Sequence, residues 1–432
     1  MPQDSKSSTN LIASLRETLE NLVHNPYPHV PNPEACKKRA SVALVLRVRP
    51  TFGHWPPNSS NLADGNSDNI SSADLVKRFF DQDWVQHGDP EIVFIKRAAR
   101  PGDRWTSHVA FPGGKRDPED KSDKDVAVRE TDEEIGLDLK SPHALYTGNL
   151  PERVVSTSWG KVPIMVLCPF VFLWTQPDMP PLKLQPTEVA STHWVPLRVL
   201  LSPSTRTFEY VDVSDRFSNR GGIIMKKFLR SVLGRMEFSA VRLLPSESLY
   251  CSSATEFFSP DTQDEGGSWR SGLHRWYTGD QIYDMEKTRP LLLWGLTLGM
   301  LADFLEQLPP HNAIELWSPP TFTSFDVRFL VSILTRSLQE RNKAKLQNGG
   351  TNMTVVDSET EAVAAGNDPW FVGENKPPRK GNNTTETYAV GVMLEGYYDL
   401  MRRGVWIAAS ARLLATAGFV FFLVRRFRQN RF

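Results

Sequence analysis

The sequence predicts an α/β fold that contains a long insertion and ends in a C-terminal helical membrane segment. Three observations carry this expectation. Apolar runs of strand length alternate with helix-patterned segments from about Ser41 to Pro310. An aperiodic stretch, about 203–288, separates two of these segments. Finally, an apolar run of bilayer length lies at 404–424.

Composition narrows the possibilities before any element is placed. At 432 residues the chain has ample material for a core. Its 50 basic and 50 acidic residues cancel, so charge gives no reason to expect a nucleic-acid partner. Cys36, Cys168 and Cys251 form no Cys-x-x-Cys pair and are too few for a disulfide framework, which fits free thiols in a cytosolic-type reducing compartment. The N-terminus lacks the basic and apolar regions of a secretory signal.

Residues 1–40 form an N-terminal segment, its first ten expected to fray. A folded domain is expected over 41–310. It opens on the strand-like run Ser41-Val-Ala-Leu-Val-Leu-Arg-Val48, breaks at a polar surface loop from Pro56 to Asp74, and resumes as a strand at Glu91 to Lys96. Leu145 to Leu150, Lys161 to Trp174 and Glu188 to Leu197 supply further strands. Residues 203–288 read as an insertion, either a lid or substrate collar or a partly ordered loop. Trp294, Leu298, Leu301, Leu305 and Leu308 recur at four- and three-residue steps and mark a core-facing helix. A helical extension at 311–341, with a helix from Asp326 to Arg341, follows. Residues 342–387 have the composition of a disordered linker. In 388–432, the apolar run 404–424 has basic flanks on both sides and Arg412 near its middle, and it is read as a membrane anchor, spanning or lying along the surface.

The chemistry concentrates in Phe111-Pro-Gly-Gly-Lys-Arg-Asp-Pro-Glu-Asp120 and Arg129-Glu-Thr-Asp-Glu-Glu-Ile-Gly-Leu137. On a helix turning about 100° per residue, Glu130, Glu133 and Glu134 fall within one arc of roughly 100°. Ala127, Val128, Thr131 and Ile135 share another arc, suited to a core. Like charges so crowded destabilise a bare helix unless a cation gathers them, and hard oxygen ligands suit Mg²⁺ or Mn²⁺. Gly113 and Gly114 permit a tight turn, and Gly136 is placed to cap the helix.

This arrangement resembles the Nudix box, with Asp120 where that pattern has Glu, one extra residue before Arg129, and Thr131 at an apolar position. Gly-Gly-Lys-x-Asp-Pro-x-Asp with the extra residue is similar to the coenzyme A pyrophosphatase branch, whose upstream motif is partly met by Phe94-Ile-Lys-Arg-Ala98 and Arg104 to Gly114. The resemblance implies an α/β/α sandwich and metal-dependent hydrolysis of a nucleoside diphosphate derivative. Coenzyme A or an acyl-coenzyme A is the expected substrate; ADP-ribose hydrolysis, or a catalytically weak module serving as a membrane scaffold, is the alternative. Glu130 and Glu134 are the principal expected metal ligands, with Glu133 a further ligand or the general base. Arg129 is expected to orient a carboxylate, Gly114 to offer its carbonyl to the metal and Asp120 to be a more distant ligand. Lys96, Arg97, Arg100 and Arg104 are the candidate substrate-binding cations, and His108 a weaker neighbour.

Overall fold

Alternating side chains along β1 (Arg39–Arg49) divide the central sheet's two faces. Leu44, Leu46 and Val48 join one buried cluster, while Ala43 and Val45 join another. The computed structural model describes residues 3–34, 36–56, 71–99, 107–157, 162–211, 234–251, 290–308, 317–348 and 389–429, and it describes side chains from residue 11 onward. In it β1 pairs antiparallel with β2 (Asp89–Arg97) and parallel with β7 (Val162–Trp174). The mixed sheet continues from β2 to β8 (Val189–Pro196), and from β7 to β5 (Ala144–Asn149). Short strands β3 (Val109–Ala110), β4 (Gly113–Lys115) and β6 (Arg153–Thr157) pair with β2, β1 and β7.

Helices cover both faces, as the α/β/α expectation requires. The first cluster takes in α1 (Gln3–His24), α2 (Ser72–Phe80) and short α3 (Asp83–Gln86). The opposite cluster takes in α4 (Asp123–Ile135). After β8 comes the short helix α5 (Leu197–Leu201). The apolar stripe read from Trp294 to Leu308 falls on α6 (Gly295–Glu306), whose Leu298, Leu301 and Leu305 are wholly buried in the first cluster. One expectation fails at the start of the chain: α1 begins at Gln3, so residues 3–10 are helical rather than frayed. Ile12, Leu15, Leu19 and Leu22 explain why, since these four bury one stripe of the helix against the sheet.

The insertion contributes strands that its weak periodicity did not announce. Its β9 (Arg206–Val211) and β10 (Met236–Arg242) form a second sheet with β12 (Leu292–Trp294) and β13 (Thr321–Phe322). β11 (Glu247–Tyr250) instead extends the main sheet by pairing with β8. Residues 212–233 and 252–289, where a lid or loop was expected, lie outside the described residues.

Helix α7 (Phe325–Asn348) matches the helix expected from Asp326 and continues seven residues past Arg341, into the stretch read as linker. Asn342 is wholly buried there and donates to the Glu395 carbonyl at 3.1 Å. The rest of the expected linker, 349–387, lies outside the described residues. Two helices follow, α8 (Ala389–Leu394) and α9 (Tyr397–Gln429). The first half of α9 runs antiparallel to α7, burying Tyr397, Met401 and Ala408 with Val327 and Val331.

Candidate active site

Helix α4 carries the site, and its ends are well defined. Ser122 accepts from the Asp125 amide at 3.2 Å while Asp125 accepts from the Ser122 amide at 3.0 Å, a reciprocal capping box. Gly136 ends the helix at φ 69°, in the left-handed region glycine tolerates, and donates to the Asp132 carbonyl at 2.8 Å. The core face is as expected, with Ala127, Val128, Thr131 and Ile135 buried. Thr131 stands in for an apolar residue because its hydroxyl donates to the Ala127 carbonyl at 2.7 Å, so no polar group is left open in the core.

Opposite that face, oxygens of Glu130, Glu134 and Glu188 lie within 4.8 Å of one another. Glu188 was not among the residues singled out in the sequence. It arrives because the loop before β8 follows the end of α4: the Lys183 amide donates to the Ile135 carbonyl at 2.9 Å and the Gln185 amide to the Glu134 carbonyl at 3.0 Å. The Ala98 amide then ties the Glu188 carbonyl to the end of β2 at 2.8 Å. An acidic residue heading a strand next to the glutamate-bearing helix was the available signal.

The glycine turn closes on the same carboxylates. The Gly113 amide donates to Glu134 at 2.8 Å. A β-carbon on Gly114 would sit 2.2 Å from the Glu130 carboxylate carbon, so any larger residue there would displace that carboxylate. Burial pushes the Glu134 carboxyl up to about 8, the Gly113 amide and Arg97 pulling against it while Glu130 and Glu188 add to it. Glu130 is also raised, chiefly by burial, with Arg129 opposing. Three carboxylates clustered this closely, two of them raised by burial, are a donor set that fits a hard divalent cation. A second group of possible ligands, His29, Asp123 and Glu152, is instead filled by the Arg39 guanidinium, 2.7 Å from Asp123 and 2.6 Å from Glu152.

Arg129 holds the turn to the helix. Its Nε and Nη2 donate to the two oxygens of Asp120, each at 3.0 Å, and Nη2 also donates to the Lys115 carbonyl at 3.2 Å. Those bonds keep the Asp120 carboxyl below its ordinary range and raise the Arg129 guanidinium above its own. Asp120 is thus turned toward Arg129. Glu133 is exposed and accepts from Arg129 at 2.9 Å, while Glu130 lies 3.1 Å from the same nitrogen. The structure therefore brings together Glu130, Glu134, Arg129, Asp120 and Gly114, and it sets Glu133 on their outer side. Arg97, at the end of β2, exerts its charge on Glu134. Lys96 faces the other way and exerts its charge on buried His193. His108 packs its ring 4.7 Å from that of Trp294. Arg100 and Arg104 lie outside the described residues.

A sheet sandwiched by helices, with a glycine turn packed against a glutamate-bearing helix, defines the class. Residues 84–217 match the family model described as the NUDIX domain, so that part of the chain carries a Nudix domain. An uncharacterized protein of Schizosaccharomyces pombe is 35% identical over 249 residues, 57% of this chain and 66% of that protein. The mouse mitochondrial coenzyme A diphosphatase NUDT8 is 41% identical over 56 residues, 13% of this chain and 27% of the relative. An uncharacterized Nudix hydrolase NudL of Photorhabdus laumondii is 35% identical over 129 residues, 29% of this chain and 61% of the relative. The chain thus spans less than two thirds of the length of each of these relatives. Among solved structures, a MutT/nudix family protein from Enterococcus faecalis is similar at 15% identity and a TM-score of 0.23, over 45% of this chain and 56% of that one.

Proposed function

We propose that the protein is a metal-dependent hydrolase that cleaves the pyrophosphate linkage of coenzyme A or an acyl-coenzyme A. The convergence of Glu130, Glu134 and Glu188 beneath the Gly113–Gly114 turn carries this reading. The Asp-Pro-x-Asp turn ending in Asp120 supports the substrate class, as does the short likeness to a coenzyme A diphosphatase.

Glu130, Glu134 and Glu188 would hold Mg²⁺ or Mn²⁺, with the Gly114 carbonyl beside them. When bound, the cation neutralises phosphate oxygens and makes water acidic enough to attack. A water oxygen forms a bond to one phosphorus, the bridging P–O bond breaks, and the water's proton passes to a carboxylate of the cluster. Arg129 positions the turn through Asp120 and steadies Glu133. Arg97, whose charge acts on Glu134, would also draw a substrate phosphate to that side of the cluster.

Cleavage of coenzyme A, its acyl thioesters and ADP-ribose by the full chain with Mg²⁺ or Mn²⁺, followed by mass spectrometry, tests the reading. The expected products from coenzyme A are 3′-phosphoadenosine phosphate and phosphopantetheine. Efficient cleavage of ADP-ribose with coenzyme A untouched rejects the substrate class, and no metal-dependent cleavage of either rejects the activity.

The same reading includes membrane attachment through the C-terminal helix. Ala389–Gln429, which holds α8 and α9, contains a window apolar enough for a membrane, and only 6% of that window is buried, unlike the core helix of a soluble protein. Sedimentation of the full chain with phospholipid vesicles is expected; a chain that stays wholly in the supernatant overturns attachment.

A further inference from the structure

The sequence treats 404–424 as one apolar unit, but packing divides it at Arg412. Before Arg412, Met401 and Ala408 are buried against α7, and a β-carbon on Gly404 would lie 3.0 Å from Val331. After it, the helix is exposed around its whole circumference: Leu414 is 74% and Phe421 68% accessible. Arg412 itself is gripped by both oxygens of Asp326 in the first turn of α7, its Nε at 2.6 Å. Asp326 lies four residues beyond Phe322, whose strand β13 is paired to β10. A bilayer centred on 404–424 would therefore engulf the edge of the second sheet, together with Glu237 and its ion-pair partner Arg328. Sheet edges and charged groups of that kind do not persist in hydrocarbon.

We propose that the protein sits on an anionic membrane surface with the Arg412–Asp326 pair at the water boundary. Only Leu413 to Val424 enters the hydrocarbon, and the α7 face formed by Phe325, Phe329 and Ile333 rests on lipid at headgroup level. This rests on the membrane attachment proposed above and adds a second helix to it. Residues 413–424 rise about 18 Å at ~1.5 Å per residue. That is well short of a hydrocarbon core of about 30 Å, so the tail anchors the domain without the length to cross an undistorted bilayer. Arg425, Arg426 and Arg428 are all exposed, and a tail lying obliquely to the surface keeps their long side chains at the anionic phosphates of the same leaflet.

The α7 face supplies an independent observation. Phe325, Phe329 and Ile333 recur every fourth residue, and they are 81%, 56% and 56% accessible. The two phenyl rings stack 6.3 Å apart with nothing apolar over them among the described residues. Phe325 adjoins Asp326, so this face begins where the α9 tail leaves the folded body. Exposed Trp406 lies on the neighbouring stretch of α9, and tryptophan favours the headgroup level.

A fluorescent probe that reports polarity, attached to a single cysteine at Phe329→Cys or at Phe421→Cys, separates the possibilities. Cys36 and Cys168 are buried, and Cys251→Ser removes the remaining background. With vesicles of phosphatidylcholine and phosphatidylglycerol, both probes should shift to shorter wavelength. Quenchers placed shallow in the lipid should act on the probe at 329, and deep quenchers on the probe at 421. A shift at 421 alone leaves the attachment standing and overturns the two-helix seat. A shift at neither site overturns attachment itself. As a second measurement, the triple variant Phe325→Ser, Phe329→Ser, Ile333→Ser should lower vesicle partitioning by about tenfold or more with unchanged melting and hydrolysis. Wild-type partitioning of that variant overturns the proposal.

Discussion

Helices α4 and α9 each carry an arginine bound by both oxygens of an aspartate: Arg129 by Asp120 and Arg412 by Asp326. The pairs look alike, yet their surroundings differ. Around Arg129 the fold crowds further carboxylates, leaving negative charge concentrated on Glu130, Glu134 and Glu188. Around Arg412 exposed apolar side chains predominate, and the pair cancels a charge that would otherwise oppose the lipid contact proposed above. The contrast teaches that an ion pair has no function by itself. Excess charge left beside it supports the cation site proposed above; its absence, with apolar surface exposed, supports the proposed lipid contact.

The sharpest test of the α4 half is to remove its excess charge. Glu134→Gln and Glu130→Gln should each lower kcat/KM by about a hundredfold or more, ~3 kcal/mol of transition-state stabilisation. Metal-free Glu134→Gln should melt no lower than wild type, because a neutral amide replaces a carboxyl that burial already keeps from ionising. Near-wild-type turnover in both variants would break the comparison at once.

Next in size is the difference between two glutamates. Glu188→Gln should reduce kcat/KM by about tenfold or more, and Glu133→Gln by less than about threefold, since Glu133 is exposed and bound to Arg129 outside the cluster. A larger loss at Glu133 would return the helix arc, rather than the folded cluster, as the guide to the site.

A pH titration probes the same excess charge. The Glu134 carboxyl has its ordinary value of 4.5 when unfolded and about 8 when folded. Between those values the folded state binds the additional proton, so this group's contribution to stability is full below 4.5 and is lost as pH rises toward 8. With a chelator present, the melting temperature should therefore fall across that window, and Glu134→Gln should flatten the slope. A wild-type slope in the Gln variant would place the charge elsewhere.

The smallest effect is expected at α9. Asp326→Asn should cost about 1 kcal/mol or less in a denaturant titration, because the pair is partly exposed. Hydrolysis in solution should be unchanged, so a loss of turnover in Asp326→Asn would show that the two helices are coupled.

Much of this was readable from the chain alone. The α4 glutamates, the Gly136 cap and the apolar stripe from Trp294 to Leu308 follow from helical periodicity, which is a local property. Glu188 was not readable as a neighbour of Glu134, because 54 positions separate them and only the loop's backbone hydrogen bonds join them. β9 and β10 were missed for a similar reason: β10 is held by three other strands, one of them about eighty residues later, and such pairing leaves little trace in a short window. Asp326 was in plain sight, but nothing in the sequence tied it to an arginine 86 positions away.

One contact away from either helix has a practical consequence. Asp303 of α6 is fully buried, ion-paired with Arg153, and accepts the Val390 amide at 3.1 Å. Because Asn342 also bonds to Glu395, the chain is fastened on both sides of residues 349–388. For a flexible insert held between fixed ends, each doubling of length costs only about 0.6 kcal/mol of closure entropy. A reporter domain or affinity tag spliced between Asn348 and Ala389 should therefore leave both the hydrolase fold and its C-terminal helix assembled, whereas Asp303→Ala would untie the return of the chain to the body that carries the site.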